Sequence, residues 1–96
     1  MKIPKRVLKV IVNWDQRLYT ALRKAINGDE LRGEMGALML ADSAQYIRII
    51  NYIKNEDYSR AYRLYADLDT AARDEVPKTI ADWLMSWNEK VVAYSS

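Results

Sequence analysis

Apolar residues recur at helical spacing along nearly the whole chain, and its few glycines and prolines fall at the joints between such stretches. The first stretch, residues 3–27, places Ile3, Val7, Val10, Ile11, Trp14, Leu18, Ala21, Leu22 and Ala25 on one face, with Leu8 and Ile26 at its margin. Pro4 suits the first turn, where its missing N–H has no partner to lose. Asn27-Gly28 offers a left-handed stop, and Asp29 a cap for the next helix. The second stretch, residues 30–54, has a main stripe of Leu31, Met35, Leu38, Met39, Asp42, Tyr46, Ile49, Ile50 and Ile53. A stripe of smaller residues, Gly33, Gly36, Leu40, Ser43, Ala44 and Ile47, lies beside it. Only Glu34, Ala41, Gln45, Arg48, Tyr52 and Asn55 are left for water, which predicts a central helix covered on two sides.

The third stretch, residues 56–75, is capped by Asn55 or Asp57 and turns Tyr58, Ala61, Leu64, Tyr65, Leu68, Ala72 and Val76 inward. Glu56–Arg60, Arg63–Asp67 and Asp69–Arg73 are opposite charges four apart on its flanks. Pro77 holds Val76 extended and opens the fourth stretch, residues 77–94, at its first helical position. Its inward stripe is Ile80, Trp83, Leu84, Trp87, Val91 and Tyr94. Connections this short make neighbouring helices antiparallel. The expected fold is all-α, a compact four-helix bundle with up-down packing, formed by residues 1–96 as a single domain.

Composition narrows the chemistry. The chain has 96 residues with no cysteine and no histidine. This removes disulfides, thiolate metal sites, the commonest metal ligand and the commonest general base. No catalytic residue, metal site or cofactor is expected, and the chain is read as non-enzymatic. No apolar run reaches the roughly 18–20 residues that span a bilayer. Met1-Lys2-Ile3-Pro4-Lys5-Arg6 is followed by no apolar signal core, so a cytoplasmic location is expected, or host cytoplasm for a viral protein.

The charge is uneven. The formal net charge is +2, but residues 1–28 carry seven basic side chains against Asp15 alone, a balance of +6, leaving −4 for the rest. Lys2, Lys5, Arg6 and Lys9 share a helix face, which Thr20, Arg23 and Lys24 continue. Such a row serves solubility, or it neutralises phosphates along a nucleic-acid backbone. A membrane surface fits less well, because the opposite apolar face is needed for the core.

Asp42 breaks the apolar stripe of the second helix. A buried carboxylate needs a hydrogen bond or a cation, so a tyrosine, tryptophan or arginine partner is expected. Met85 and Val92 lie on the outer side of the last helix, with Ala81 and Asn88 beside them, and suggest self-contact in a homodimer. Seven tyrosines, three tryptophans and no phenylalanine favour helix margins where a ring packs and its polar tip reaches water. Tyr52 and Tyr62, with Arg48 and Arg63, are the residue types that dominate protein interfaces. Together these features describe a small interaction protein, an inhibitor, adaptor or assembly subunit of the kind phages and mobile elements carry. It is expected to dock on a larger protein through Arg48, Tyr52, Tyr62 and Arg63. The alternative is a nucleic-acid-binding subunit using Lys2, Lys5, Arg6, Lys9, Arg23 and Lys24.

Overall fold

Five helices, rather than four, are formed among the described residues: α1 Lys5–Asn27, α2 Gly33–Lys54, α3 Tyr58–Asp67, α4 Thr70–Glu75 and α5 Lys78–Ser95. The computed structural model describes residues 3–28 and 33–95, without the side chains at 34, 35, 37–39 and 95. The expected roles of Lys2, Asp29, Glu30 and Leu31, and of the Glu34, Met35, Leu38 and Met39 side chains, fall outside the described residues.

The additional helix arises at Leu68-Asp69. Both residues are extended (φ −65°, ψ 146° and φ −68°, ψ 168°), and the Asp69 carboxylate accepts a hydrogen bond from the Ala72 N–H at 2.8 Å. Asp69 therefore acts as the N-cap of α4 rather than as an ion-pair partner of Arg73, and one expected helix becomes two. Nor do Glu56–Arg60 and Arg63–Asp67 pair. Among the described residues the ion pairs are Arg60–Asp57 at 3.5 Å and Lys54–Asp15 at 3.0 Å.

Other joints are set by backbone chemistry. Pro4 precedes α1 instead of lying inside it, and its carbonyl accepts from Val7 and Leu8. Pro77 stands in the same relation to α5, accepting from Ile80 and Ala81. Gly28 is not left-handed (φ −91°), contrary to the expected stop. The left-handed residue after α2 is Glu56, with φ 61°. The Asp57 N–H returns to the Tyr52 carbonyl at 2.8 Å, and the Glu56 N–H returns to that of Ile53. This is the double closure of a Schellman motif, built on a residue whose Cβ disfavours the conformation. Glu56→Gly is thus expected to raise stability by about 0.5–1 kcal/mol, measured as a higher urea midpoint with unchanged slope.

α1 touches α2 and α5, α2 touches α3, and α3 touches α5. Val7, Ile11, Ile49, Ile50, Ile53, Ile80 and Leu84 lie fully buried where they meet. Aromatic rings fill the remaining core. The Trp14 and Tyr46 ring centroids lie 5.2 Å apart, and Tyr58 packs edge-to-face with Trp83 at 4.9 Å and Trp87 at 6.0 Å. The Tyr58 hydroxyl is buried there without a hydrogen-bond partner, and burial pushes its pKa up, with Glu56 adding to the shift. Removing an unsatisfied buried hydroxyl relieves its desolvation cost. Tyr58→Phe is accordingly expected to be neutral or stabilising by up to ~1 kcal/mol, in contrast to the usual loss from altering a core side chain; thermal unfolding measures this.

The inward face of α5 stops short of its expected length. Ile80, Trp83 and Leu84 are buried and Trp87 is half-buried, but Val91 and Tyr94 are exposed. Ala81, assigned by sequence to the outer side, is buried instead. The molecule measures 49 × 25 × 20 Å, and among the described residues no helix is long and apolar enough to cross a membrane.

Candidate functional site

Two surfaces with different electrical character stand out. The first belongs to α1. Val7, Ile11, Trp14, Leu18 and Ala25 pack inward, and the next residue after each forms a second line: Leu8, Val12, Asp15, Tyr19 and Ile26. A shift of one residue rotates the side chain about 100° around the helix, so this line runs parallel to the core face along the outside. Its apolar members are exposed: Leu8 44%, Val12 46%, Tyr19 50% and Ile26 60%. Asp15, the exception, is tied to Lys54 at the end of α2. Beside this ridge an open depression of about 1130 Å³ is lined by Lys5, Arg6, Leu8, Lys9, Val10, Val12 and Asn13. Apolar methyl groups and cations thus share one recess, and α1 retains its expected basic face: Lys5, Arg6, Lys9, Arg23 and Lys24 are all exposed.

The second surface lies between α2 and α3. Arg48 and Tyr52 from α2 join Arg60, Arg63, Leu64 and Asp67 from α3 around one cleft. An adjoining cleft continues from it, shares Leu64 and Asp67, and adds Asp42, Gln45, Leu68, Asp69 and Ala72. The structure therefore brings together Arg48, Tyr52 and Arg63 as expected. Tyr62 does not line these clefts; it is half-buried against the core. Arg60 and Asp67 read from the sequence only as members of helical ion pairs, because their place in the clefts depends on the α2–α3 pairing.

Asp42 corrects an expectation. It is exposed rather than buried in the core, at the mouth of the second cleft. Tyr46 is buried beyond it, and its hydroxyl donates a hydrogen bond to the Ala72 carbonyl at 2.8 Å. The core is closed at Tyr46, and Asp42, one turn earlier, stays in water. Its charge is nonetheless felt. The Tyr46 pKa is pushed up to about 12 by burial first, then by the negative charges of Asp42, Glu75 and Asp69. An exposed carboxylate without a partner carries little stability. Asp42→Asn is expected to change unfolding free energy by less than about 0.5 kcal/mol, as chemical denaturation would show.

Met85 and Val92 are exposed on α5 as expected, at 41% and 57%. Among the described residues no group of three or more acidic side chains is placed to hold a metal ion. No protein-family model, curated protein or solved structure matches the chain.

Proposed function

We propose that this chain is a protein-interaction module that docks on a larger protein through the outer face of α1. The observation that carries this reading is the second apolar line on α1, Leu8, Val12, Tyr19 and Ile26, exposed beside Lys5, Arg6 and Lys9. Single exposed apolar residues are ordinary, but a row of four along one helix leaves a contact face uncovered. The cations select its occupant. A second α1 would bring two strongly basic segments together, whereas an acidic amphipathic helix supplies both the apolar stripe and the opposite charge.

Capture from cell extract with the native chain and with the double variant Leu8→Asp, Val12→Asp tests this reading. The expected result is a protein retained by the native chain and bound at least about tenfold more weakly by the variant, with the helical circular dichroism unchanged. The same proteins retained equally by both chains would overturn it.

A second reading is favoured by one observation: Lys5, Arg6, Lys9, Arg23 and Lys24 are exposed on α1 and make no ion pair among the described residues. Such a row suits the phosphates of a nucleic acid. Fluorescence anisotropy with mixed-sequence DNA and RNA over a salt series separates the two. Phosphate binding would collapse as salt rises, survive Leu8→Asp and be lost in Lys5→Glu, Lys9→Glu. Absence of binding at low salt would leave the cations to the protein partner.

A further inference from the structure

The α2–α3 groove has a charge order that α1 lacks. Its end near the C-terminus of α2 carries Arg48, Arg60 and Arg63, its other end carries Asp42 and Asp69, and Asp67 lines both clefts between them. Arg60 and Asp67 lie seven residues apart on α3, about 10 Å along the axis, with Leu64 between them on the shared floor. The two ends do not neutralise each other. Of these six side chains only Arg60 has an ion-pair partner among the described residues, and that partner is Asp57, outside the groove. Asp69 spends one carboxylate oxygen on capping α4. Gln45 adds to the acidic end a buried side-chain oxygen that accepts no hydrogen bond.

We propose that this groove is the seam of a two-fold dimer, closed by a second copy of the same chain. A strip that is positive at one end and negative at the other is self-complementary under a two-fold axis perpendicular to it. Rotation by half a turn about an axis near Leu64 sets the arginines of each copy over the aspartates of the other. The guanidinium forks then meet carboxylates, which is the pairing their five donors fit. Each copy carries both halves, so no other chain is needed to supply the complement. This seam does not involve α1, which remains free for the larger partner. The proposal extends the functional reading without depending on it.

Sedimentation velocity at high micromolar concentration and low salt is the direct test. The native chain is expected to be a dimer that dissociates as salt rises. Arg48→Glu, Arg63→Glu makes the groove predominantly negative, with Arg60 its remaining cation, and Asp42→Arg, Asp67→Arg makes it predominantly positive, with Asp69 its remaining carboxylate. Each double variant alone is expected to self-associate at least about tenfold more weakly. Mixed in equal amounts, the two should form a heterodimer, an outcome that mere misfolding of either chain cannot produce. All four positions are exposed, and circular dichroism checks that the helices persist. A native chain that stays monomeric, or a mixture that stays monomeric, would overturn the proposal. So would a dimer indifferent to both charge sets and dissolved by Met85→Asp, Val92→Asp, which would place self-contact on α5.

Discussion

Ile50→Ala is expected to lower the unfolding free energy by about 2–5 kcal/mol, the cost of deleting a fully buried branched side chain and leaving a cavity. Ile50 has no exposed surface and belongs to α2, which packs on both α1 and α3. A chain of this size has a total stability of roughly 5–14 kcal/mol, so the loss is a large fraction of the whole. Urea unfolding measures it as a lower midpoint with an unchanged slope. Ile26→Ala is the matched control: the same side chain, also on a long helix, but 60% exposed. Its expected effect is below about 0.5 kcal/mol. Similar losses at both positions would mean that the outer line of α1 is covered in the free protein, and the docking face proposed for it would fall with that result.

The contrast between these two isoleucines marks how far the sequence can be read. Periodicity finds the helical class and much of the inward set, since Val7, Ile11, Trp14, Ile49, Ile50, Ile53, Tyr58, Ala61, Tyr65, Ile80 and Leu84 are buried where the stripes place them, while Ala21, Asp42, Val91 and Tyr94 are exposed. It also contains the second line of α1, as a repeat at 8, 12, 19 and 26 offset by one residue from the core stripe. That line looks like a margin until the neighbouring helices are in place, because spacing alone does not say how wide a face they cover. The break between α3 and α4 has a local signal too. Asp69 followed by Thr70 is a good N-cap sequence, but Asp69 and Arg73 also have the spacing of a helical ion pair, and the apolar period continues through the break. Asp42 and Tyr94 are different. Both sit on the apolar stripe of their own helix, and both are exposed. How far a neighbour covers a stripe is a tertiary fact. The α2–α3 groove has the same origin: Arg48 and Arg60 are twelve residues apart in sequence and become neighbours through the antiparallel pairing.

Tyr46→Phe tests that closing point of the core from the other side. The Tyr46 hydroxyl donates to the Ala72 carbonyl at 2.8 Å across 26 residues, in a buried setting, and joins α4 to α2. Phenylalanine keeps the ring against Trp14 but leaves the carbonyl without its donor, an expected loss of about 1–3 kcal/mol at neutral pH. The same bond gives the native chain an alkaline signature. Tyr46 holds its proton to about pH 12 when folded, against 10.0 for a free tyrosine. The unfolded chain therefore loses that proton first. The associated stability is whole below pH 10 and drains away as pH rises towards 12, by about 2–3 kcal/mol over the interval. Tyr46→Phe has no such proton to lose. The gap between native and variant should be widest at neutral pH and should narrow between pH 10 and 12, as paired urea titrations along the pH scale would show. Carrying both through a Tyr58→Phe background removes the other buried hydroxyl that titrates high. A gap that stays constant with pH would mean that the hydroxyl faces water and that α4 does not seal the core at this level. The recess holding Asp42 and Asp69 would then be open to solvent down to Tyr46, and the acidic end of the groove would lose the wall that sets its charges against a partner.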